Sequence, residues 1–321
     1  MTILLNEKPI VLVCAADDNY SMPIASATRS VIANFQSEHK LVLYIIDGGI
    51  SQLNKQRIIK NLKSEQVSIN WLKPRKQHFK NAQTSSTITT AAYYRLLIPQ
   101  LLPKQFNKAI YIDSDLIVQG NIEGLWNIDI GEYYLLAAQD MGAPYVSSPR
   151  GLMNYQELGI SPESKYFNSG VLVMNLKKWR EDQIFEKVME YLTINKQYVR
   201  WHDQDALNAI LAGKWGELEP RWNQMPYLFQ YSSWQDSPFT EDVFNQLINN
   251  PEIIHFSTGD KPWHNSCNHP DKDLFFKYLD NSIWSNWHAE QAVKKERQRR
   301  MAFLHNSYYL VKQRIKSLLK A

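Results

Sequence analysis

Apolar residues in the first third of this chain fall into short continuous runs separated by amphipathic stretches. Ile10–Ala16 is such a run, β-branched and unbroken, the pattern of a strand buried on both faces, and it ends in the polar segment Asp17-Asp18-Asn19-Tyr20. A helix is predicted from about Met22 to Asn34 and a second strand over Leu41–Ile46. Another helix follows over Ser51–Ser64, with Leu53, Ile58, Ile59 and Leu62 assigned to one side, and Val67–Leu72 is a third strand. Strand–helix alternation of this kind implies parallel strands covered by helices. Thr89–Leu97 is predicted helical, and Ala109–Ile112 is a short strand running straight into Asp113-Ser114-Asp115. The pattern then becomes mixed, with strands near Leu135–Gln139 and Gly170–Asn175 and helices over Glu181–Asn195 and Gln204–Leu211. Trp215–Pro270, rich in Trp, Tyr, Asn and Pro, has the composition of long loops that build a substrate surface. The expectation is one α/β domain over 1–285 and a C-terminal helical extension over 286–321.

Charge changes this picture at one end. The net charge of +4 averages a basic tail and a mildly acidic body: residues 294–321 carry nine Lys/Arg and one acid, and the rest 27 basic and 31 acidic residues. Within the tail, Met301, Leu304, Tyr308, Val311, Ile315 and Leu318 step by three and four, one apolar stripe with Lys312, Arg314, Lys316 and Lys320 off it. That is the pattern of a helix lying in an anionic membrane surface. A dimerising helix, or one packed on the body, fits the same stripe, so the oligomeric state stays open. An acidic body without a basic face of interleaved aromatics argues against nucleic-acid binding. No run approaches the ~18 apolar residues of a spanning helix. Met1–Lys8 lacks the cationic start and apolar run of a secretory signal. Cys14 and Cys267 make no disulfide framework, so a cytoplasmic location is expected.

Candidate chemistry gathers at predicted strand ends. Asp113 and Asp115, one residue apart after a buried strand, should point the same way and suit a hard divalent cation, Mg²⁺ or Mn²⁺. The carboxyl edge of an open parallel sheet is also where ligands bind. The structural alternative for the pair is a solvated acidic turn. Asp17, Asn19 and Tyr20 sit at the same edge, where they suit a base and ribose or, equally, a helix N-cap; no glycine-rich dinucleotide fingerprint follows. His255, after Ile253-Ile254, is a candidate nitrogen ligand, and Lys261 a point charge for phosphate oxygens.

These residues belong to motifs that occur in a characteristic order: Ala15-Ala16-Asp17-Asp18-Asn19-Tyr20, Tyr111-Ile112-Asp113-Ser114-Asp115, Tyr166-Phe167-Asn168-Ser169-Gly170-Val171-Leu172, Asn175-Leu176-Lys177-Lys178-Trp179-Arg180, Asp203-Gln204-Asp205 and Lys261-Pro262-Trp263-His264. In order and spacing the chain resembles glycosyltransferase family 8 from about residue 10 to 290. It is especially similar to that family's bacterial lipooligosaccharide α-galactosyltransferases, and more distantly to glycogenin. The fit is looser over Trp71–Ser86 and Met141–Ser164.

The resemblance implies a GT-A fold, a Rossmann-like nucleotide-sugar domain with a mixed sheet. It also implies a UDP-galactose or UDP-glucose donor, Mn²⁺ or Mg²⁺, a glycan or glycolipid acceptor such as lipopolysaccharide, and transfer with retention of the α configuration. Asp113, Asp115 and His255 match the metal ligands. Ala15, Asp17, Asn19 and Tyr20 match the uridine site; Ser114, Gly259 and the pyrophosphate lysine, Lys261, complete the donor-binding set. Arg95, Asp140, Asn168, Asp203 and Gln204 match positions lining the donor sugar. One departure stands out: the family's His-x-x-Gly-x-x-Lys has Thr258 where the glycine belongs, with Gly259 next. The position matching a nucleophile is Gln204, an amide, which favours a front-face route over double displacement. The competing readings are a self-glucosylating or protein-directed transferase and a catalytically silent sugar-nucleotide or membrane-surface binding protein.

Overall fold

A computed structural model describes residues 9–62, 64–75, 79, 90–288, 290, 291 and 293. The N-terminal Met1–Lys8 and the amphipathic stripe Met301–Leu318 lie outside them. The strands are β1 (Ile10–Ala16), β2 (Leu41–Asp47), β3 (Val67–Leu72), β4 (Lys108–Ile112), β5 (Leu116–Val118), β6 (Leu135–Ala137), β7 (Val171–Asn175), β8 (Gly216–Glu217) and β9 (Ile253–His255). A seven-stranded sheet runs β3-β2-β1-β4-β7-β6-β8, and β5 pairs with β9 in a separate ribbon.

Every residue of β1 is buried, as its unbroken apolar run requires of a central strand. It pairs in parallel with β2 from Ile10↔Leu41 to Ala16↔Asp47, and with β4 at Leu12↔Ile110 and Val13↔Tyr111. The ends of β1 and β4 therefore lie side by side. Direction then reverses: β7 runs antiparallel to β4, from Lys108↔Asn175 to Ile112↔Val171. That reversal brings the segment before β7, Asn168-Ser169-Gly170, beside the residues that leave β4.

Several helical expectations are corrected. Over 90–97 the chain is a 3-10 helix, Thr90–Leu97. The helix expected over Glu181–Asn195 is Ile184–Ile194, and an unexpected separate helix, Leu176–Glu181, precedes it across a left-handed backbone at Gln183 (φ 51°). In helix Gln52–Asn61 only part of the expected stripe is inside. Leu53 is 57% and Ile59 45% exposed, while Ile58 and Leu62 are buried. At 100° per residue the inward face is Asn54-Ile58-Asn61, and neither Leu53 nor Ile59 falls on it.

The motif Asn175–Arg180 is structural. Asn175 caps its helix by accepting from the Lys178 amide, and buried Trp179 donates Nε1 to the Tyr134 carbonyl at 2.8 Å. Arg180 donates to the carbonyls of Pro99 (2.7 Å) and Phe106 (2.8 Å).

The chain divides into two compact units, Met1–Leu279 and Asp280–Ala321. In the second, Asp280 caps the short helix Asn281–Trp284, its Oδ1 accepting from the Ser282 amide at 2.9 Å. Among the described residues no helix is long and apolar enough to cross a membrane.

Candidate active site

The candidate residues converge at the carboxyl edge of β1 and β4. Leaving β4, the Asp113 amide donates to the Gly170 carbonyl at 2.8 Å. The chain then turns at buried Ser114, whose Oγ donates to the Ala15 carbonyl at 2.8 Å and ties the turn to the end of β1. Asp115 leads into β5, and the antiparallel register sets Leu116 opposite His255 of β9. The two acids thus converge through a pinned turn between two strands, and not through side-chain alternation within one strand. Ser114 is the pin.

His255 Nε2 lies 3.4 Å from Asp115 Oδ1 and 3.9 Å from Asp113 Oδ2, and the three candidate ligand atoms all fall within 4.8 Å of one another. Adjacent ligands around an octahedral Mn²⁺ or Mg²⁺ stand about 3 Å apart, so small side-chain adjustments would complete a site. Two carboxylates and one imidazole suit Mn²⁺ better than Mg²⁺, which prefers oxygen throughout. The imidazole is oriented for this. Its Nδ1 is 2.8 Å from Oδ1 of fully buried Asn223, whose Nδ2 donates to Asn168 Oδ1 at 3.0 Å. An amide oxygen only accepts, so Nδ1 carries a proton, and Nε2 is the nitrogen directed at the acids and the one a metal would take. Gly170 makes room: a Cβ there would stand 2.2 Å from His255 Cε1 and 3.0 Å from Asn168 Oδ1.

Cations flank the acid pair. Lys261 Nζ donates to Asp115 Oδ2 and, at 2.6 Å, to the Phe256 carbonyl. Burial disfavours the Asp115 carboxylate, but Lys261 and His255 outweigh it and hold its carboxyl well below the usual carboxylate range. Buried Arg95 sits 3.0 Å from Asp113 Oδ1 and 2.9 Å from Asp203 Oδ2, with its Nε–H donated to the Ala92 carbonyl and its Nη1 to the Ser169 carbonyl. Burial alone would lower its pKa; Asp113 and Asp203 raise it instead. Asp203 is the strained member. Burial, with a contribution from Asp113, outweighs Arg95 and pushes its carboxyl up to about 6.

The remaining sugar-site candidates form one network. Asp140 Oδ1 accepts from the amides of Gly142 (2.8 Å) and Ala143 (3.0 Å). Its Oδ2 accepts from Asn168 Nδ2 (3.0 Å) and Gln204 Nε2 (3.1 Å). Gln204 Oε1 accepts from the Ser169 amide at 3.0 Å, so both ends of this amide are engaged.

At the end of β1, Asp17 acts as the N-cap considered from its residue type, with Oδ1 accepting from the amides of Asn19 (2.9 Å) and Tyr20 (3.2 Å). Tyr20 packs edge-on against Trp263, ring centroids 5.7 Å apart, and burial together with Asp115, Asp17 and Asp113 raises its pKa. Ala15 is tied in through Ser114, whereas Gly259 is exposed in open space and nothing crowds a Cβ there. Asn223, Ser169 and Tyr111, whose hydroxyl donates to Asp113 Oδ1 at 2.6 Å, are the contributors that sequence reasoning missed. Tyr111 and Ser169 stood inside recognised motifs; Asn223 stood in a loop with no signal.

Known proteins share this architecture. Residues 11–267 match the family model described as Glycosyl transferase family 8. The chain is 35% identical over 277 residues to general stress protein A of Bacillus subtilis (strain 168), spanning 85% of this chain and 94% of that protein. It is 26% identical over 272 residues to the lipopolysaccharide 1,2-glucosyltransferase of Escherichia coli (strain K12), spanning 84% and 77%. Its fold is similar to the crystal structure of the galactosyltransferase LgtC in complex with donor and acceptor sugar analogues, with a TM-score of 0.72 and 28% identity over 84% of this chain and 95% of that one. The mixed, mostly parallel sheet is accordingly a GT-A fold. With the family match extending from the second residue of β1 past Lys261, this chain belongs to glycosyltransferase family 8.

Proposed function

We propose that this chain is a retaining hexosyltransferase that moves galactose or glucose from a UDP-sugar to an acceptor hydroxyl, with Mn²⁺ or Mg²⁺ bound. The observation that carries the reading is the joining of two groups through Arg95: the acid–imidazole set on one side and Asp203, beside the Asp140–Gln204 network, on the other. Asp113, Asp115 and His255 would hold the metal, which neutralises a diphosphate leaving group. Lys261, already against Asp115, adds positive charge at the same end. Asp17, Asn19 and Tyr20 hold uridine at the end of β1. Asp140, Asn168 and Gln204 position the sugar. Gln204 is a poor nucleophile whose oxygen is already occupied by an amide, which supports a front-face route: the departing diphosphate takes the acceptor's proton, and Asp203 opposes the developing positive charge. The acceptor is assigned to a glycan or glycolipid, by likeness to the lipopolysaccharide glucosyltransferase, with the basic tail holding the enzyme at the inner face of the membrane.

The test is UDP release with a panel of UDP-sugars, with and without Mn²⁺. We expect release from UDP-galactose or UDP-glucose, abolished by EDTA, restored by Mn²⁺, and lost in Asp113→Ala with the fold intact. Full activity in EDTA removes the metal assignment; binding without turnover, metal present, favours the silent binder.

A further inference from the structure

Next to this site, and used by none of the steps above, is a platform of a guanidinium and two aromatic rings, Arg150 and Trp201 being exposed and Tyr227 half-buried. Arg150 Cζ lies 4.6 Å from the centre of the Trp201 ring and 5.3 Å from that of Tyr227. Arg150 is exposed, Trp201 is 36% exposed, and among the described residues no carboxylate lies in ion-pair range of Arg150. A surface arginine normally sweeps a large volume. This one is held over two rings on a loop whose backbone is itself pinned.

The pinning runs through consecutive carbonyls. Pro149 O accepts from Arg200 Nη1 at 2.8 Å, Arg150 O from Trp201 Nε1 at 2.8 Å, and Gly151 O from Arg200 Nη2. The donors are fixed in turn, because the amides of Arg200 and Trp201 donate to Asp205 Oδ2 at 2.7 and 2.8 Å. Asp205 lies in the first turn of helix Asp203–Leu211, and its Oδ1 accepts from Tyr166 at 2.7 Å. The platform also borders the sugar-site residues on two sides. Trp201 is two residues before Asp203. The Tyr227 ring lies against Gly142, where a Cβ would stand 2.6 Å from Cε2, and the Gly142 amide donates to Asp140.

We propose that Arg150, Trp201 and Tyr227 form an acceptor subsite selective for a sugar that carries an oxyanion, a phosphate or a carboxylate. The inference rests on the transferase reading of the adjoining pocket and names the chemistry of its second substrate. The guanidinium donates to the Tyr227 hydroxyl on one side, and its remaining edge N–H donors have the fork geometry that matches an oxyanion. Indole and phenol surface beside it takes the apolar face of a pyranose ring. Because the loop is held before any ligand arrives, little ordering is required on binding.

Binding to the full-length protein, saturated with UDP and Mn²⁺ to occupy the donor pocket, is the test, read by ligand-observed NMR. The probes are methyl glucoside, glucose 6-phosphate, glucuronate and inorganic phosphate. We expect at least one of the two charged sugars to bind about tenfold or more tightly than methyl glucoside, the scale of a charge-assisted hydrogen bond. The stronger of the two identifies the anion. Arg150→Gln should erase the difference, and Trp201→Ala should weaken all three sugars. Equal affinity for charged and neutral sugars in the wild type overturns the proposal, as does inorganic phosphate binding as tightly as glucose 6-phosphate. Failure of the transferase reading appears elsewhere, as absence of UDP release from every UDP-sugar.

Discussion

Asp203 is a carboxylate held where burial disfavours its charge, and this has a cost in stability with a definite sign. Its pKa rises from 3.8 in the unfolded chain to about 6 in the fold. Between those values the folded state binds more protons than the unfolded one, so this group's contribution is fully present below about pH 4 and is lost as pH rises through 6. The whole change is on the order of 3 kcal/mol. Asp203→Asn does not titrate. Urea unfolding of the metal-free protein should therefore show the wild type losing stability relative to the variant from pH 4 to pH 7; a constant difference would refute the raised pKa. Asn223 acts at the same scale through His255. Replacing it by alanine leaves Nδ1 without its acceptor and the ring free to turn, a loss that costs 10–100-fold in affinity at comparable sites. Mn²⁺ titration of Asn223→Ala against the wild type checks this, and equal affinity would remove Asn223 from the site.

At the scale of elements, the junction of β4, β7 and β9 decides the geometry. The Gly170 carbonyl receives the Asp113 amide, and its missing side chain leaves the space that the His255 ring fills. Gly170→Ala places a methyl group 2.2 Å from His255 Cε1, closer than packed atoms stand, so something must shift and the His255 ring is the nearest group. The ring should be pushed off the acid pair. We expect a folded protein, judged by an unchanged far-ultraviolet circular dichroism spectrum, with much weakened Mn²⁺ binding and transfer. A variant with unaltered Mn²⁺ affinity would mean that the ring has room to move. Asp115 tolerates its burial for the complementary reason: β9 delivers the His255 ring, and the loop after it the Lys261 ammonium, to its two carboxylate oxygens.

For the whole molecule the open contrast is between a mildly acidic body and a strongly basic C-terminus. Near an anionic surface each Lys or Arg contributes about 1 kcal/mol, screened over about 10 Å at ordinary salt. Several cations plus six apolar side chains should give reversible, salt-sensitive attachment. Removing residues 294–321 should leave a protein that still transfers to a small water-soluble acceptor but loses activity on acceptors embedded in anionic vesicles. Co-sedimentation with such vesicles at low and high salt checks the attachment itself. If the full chain stays in the supernatant at low salt, the tail has another use, and a truncation that changes the mass in solution would point to dimerisation.

Much of this protein was legible along the chain. Strand β1 begins and ends where its apolar run does, because burial on both faces demands an unbroken hydrophobic segment and polar residues end it, whereas β3 keeps its expected bounds with Ser68 and Asn70 inside it and no fully buried residue. The acid pair, Arg95, His255 and Lys261 were legible as a motif set in order. Side-chain direction was not. Leu53 and Ile59 are apolar yet exposed, since a helix's angular face follows from what it packs against, and Asn54 and Asn61 face inward instead. Gln183 gives no residue-level sign of the left-handed turn that splits two helices. Tertiary structure alone decided that Asn223, 32 residues from His255 in the chain, orients that ring, and that Asp113 and Asp115 meet through a turn pinned by Ser114. The physical division is one of range. Periodicity and capping act within a few residues and are written locally, whereas register between distant strands and the satisfaction of buried polar atoms exist only once the sheet has closed around them.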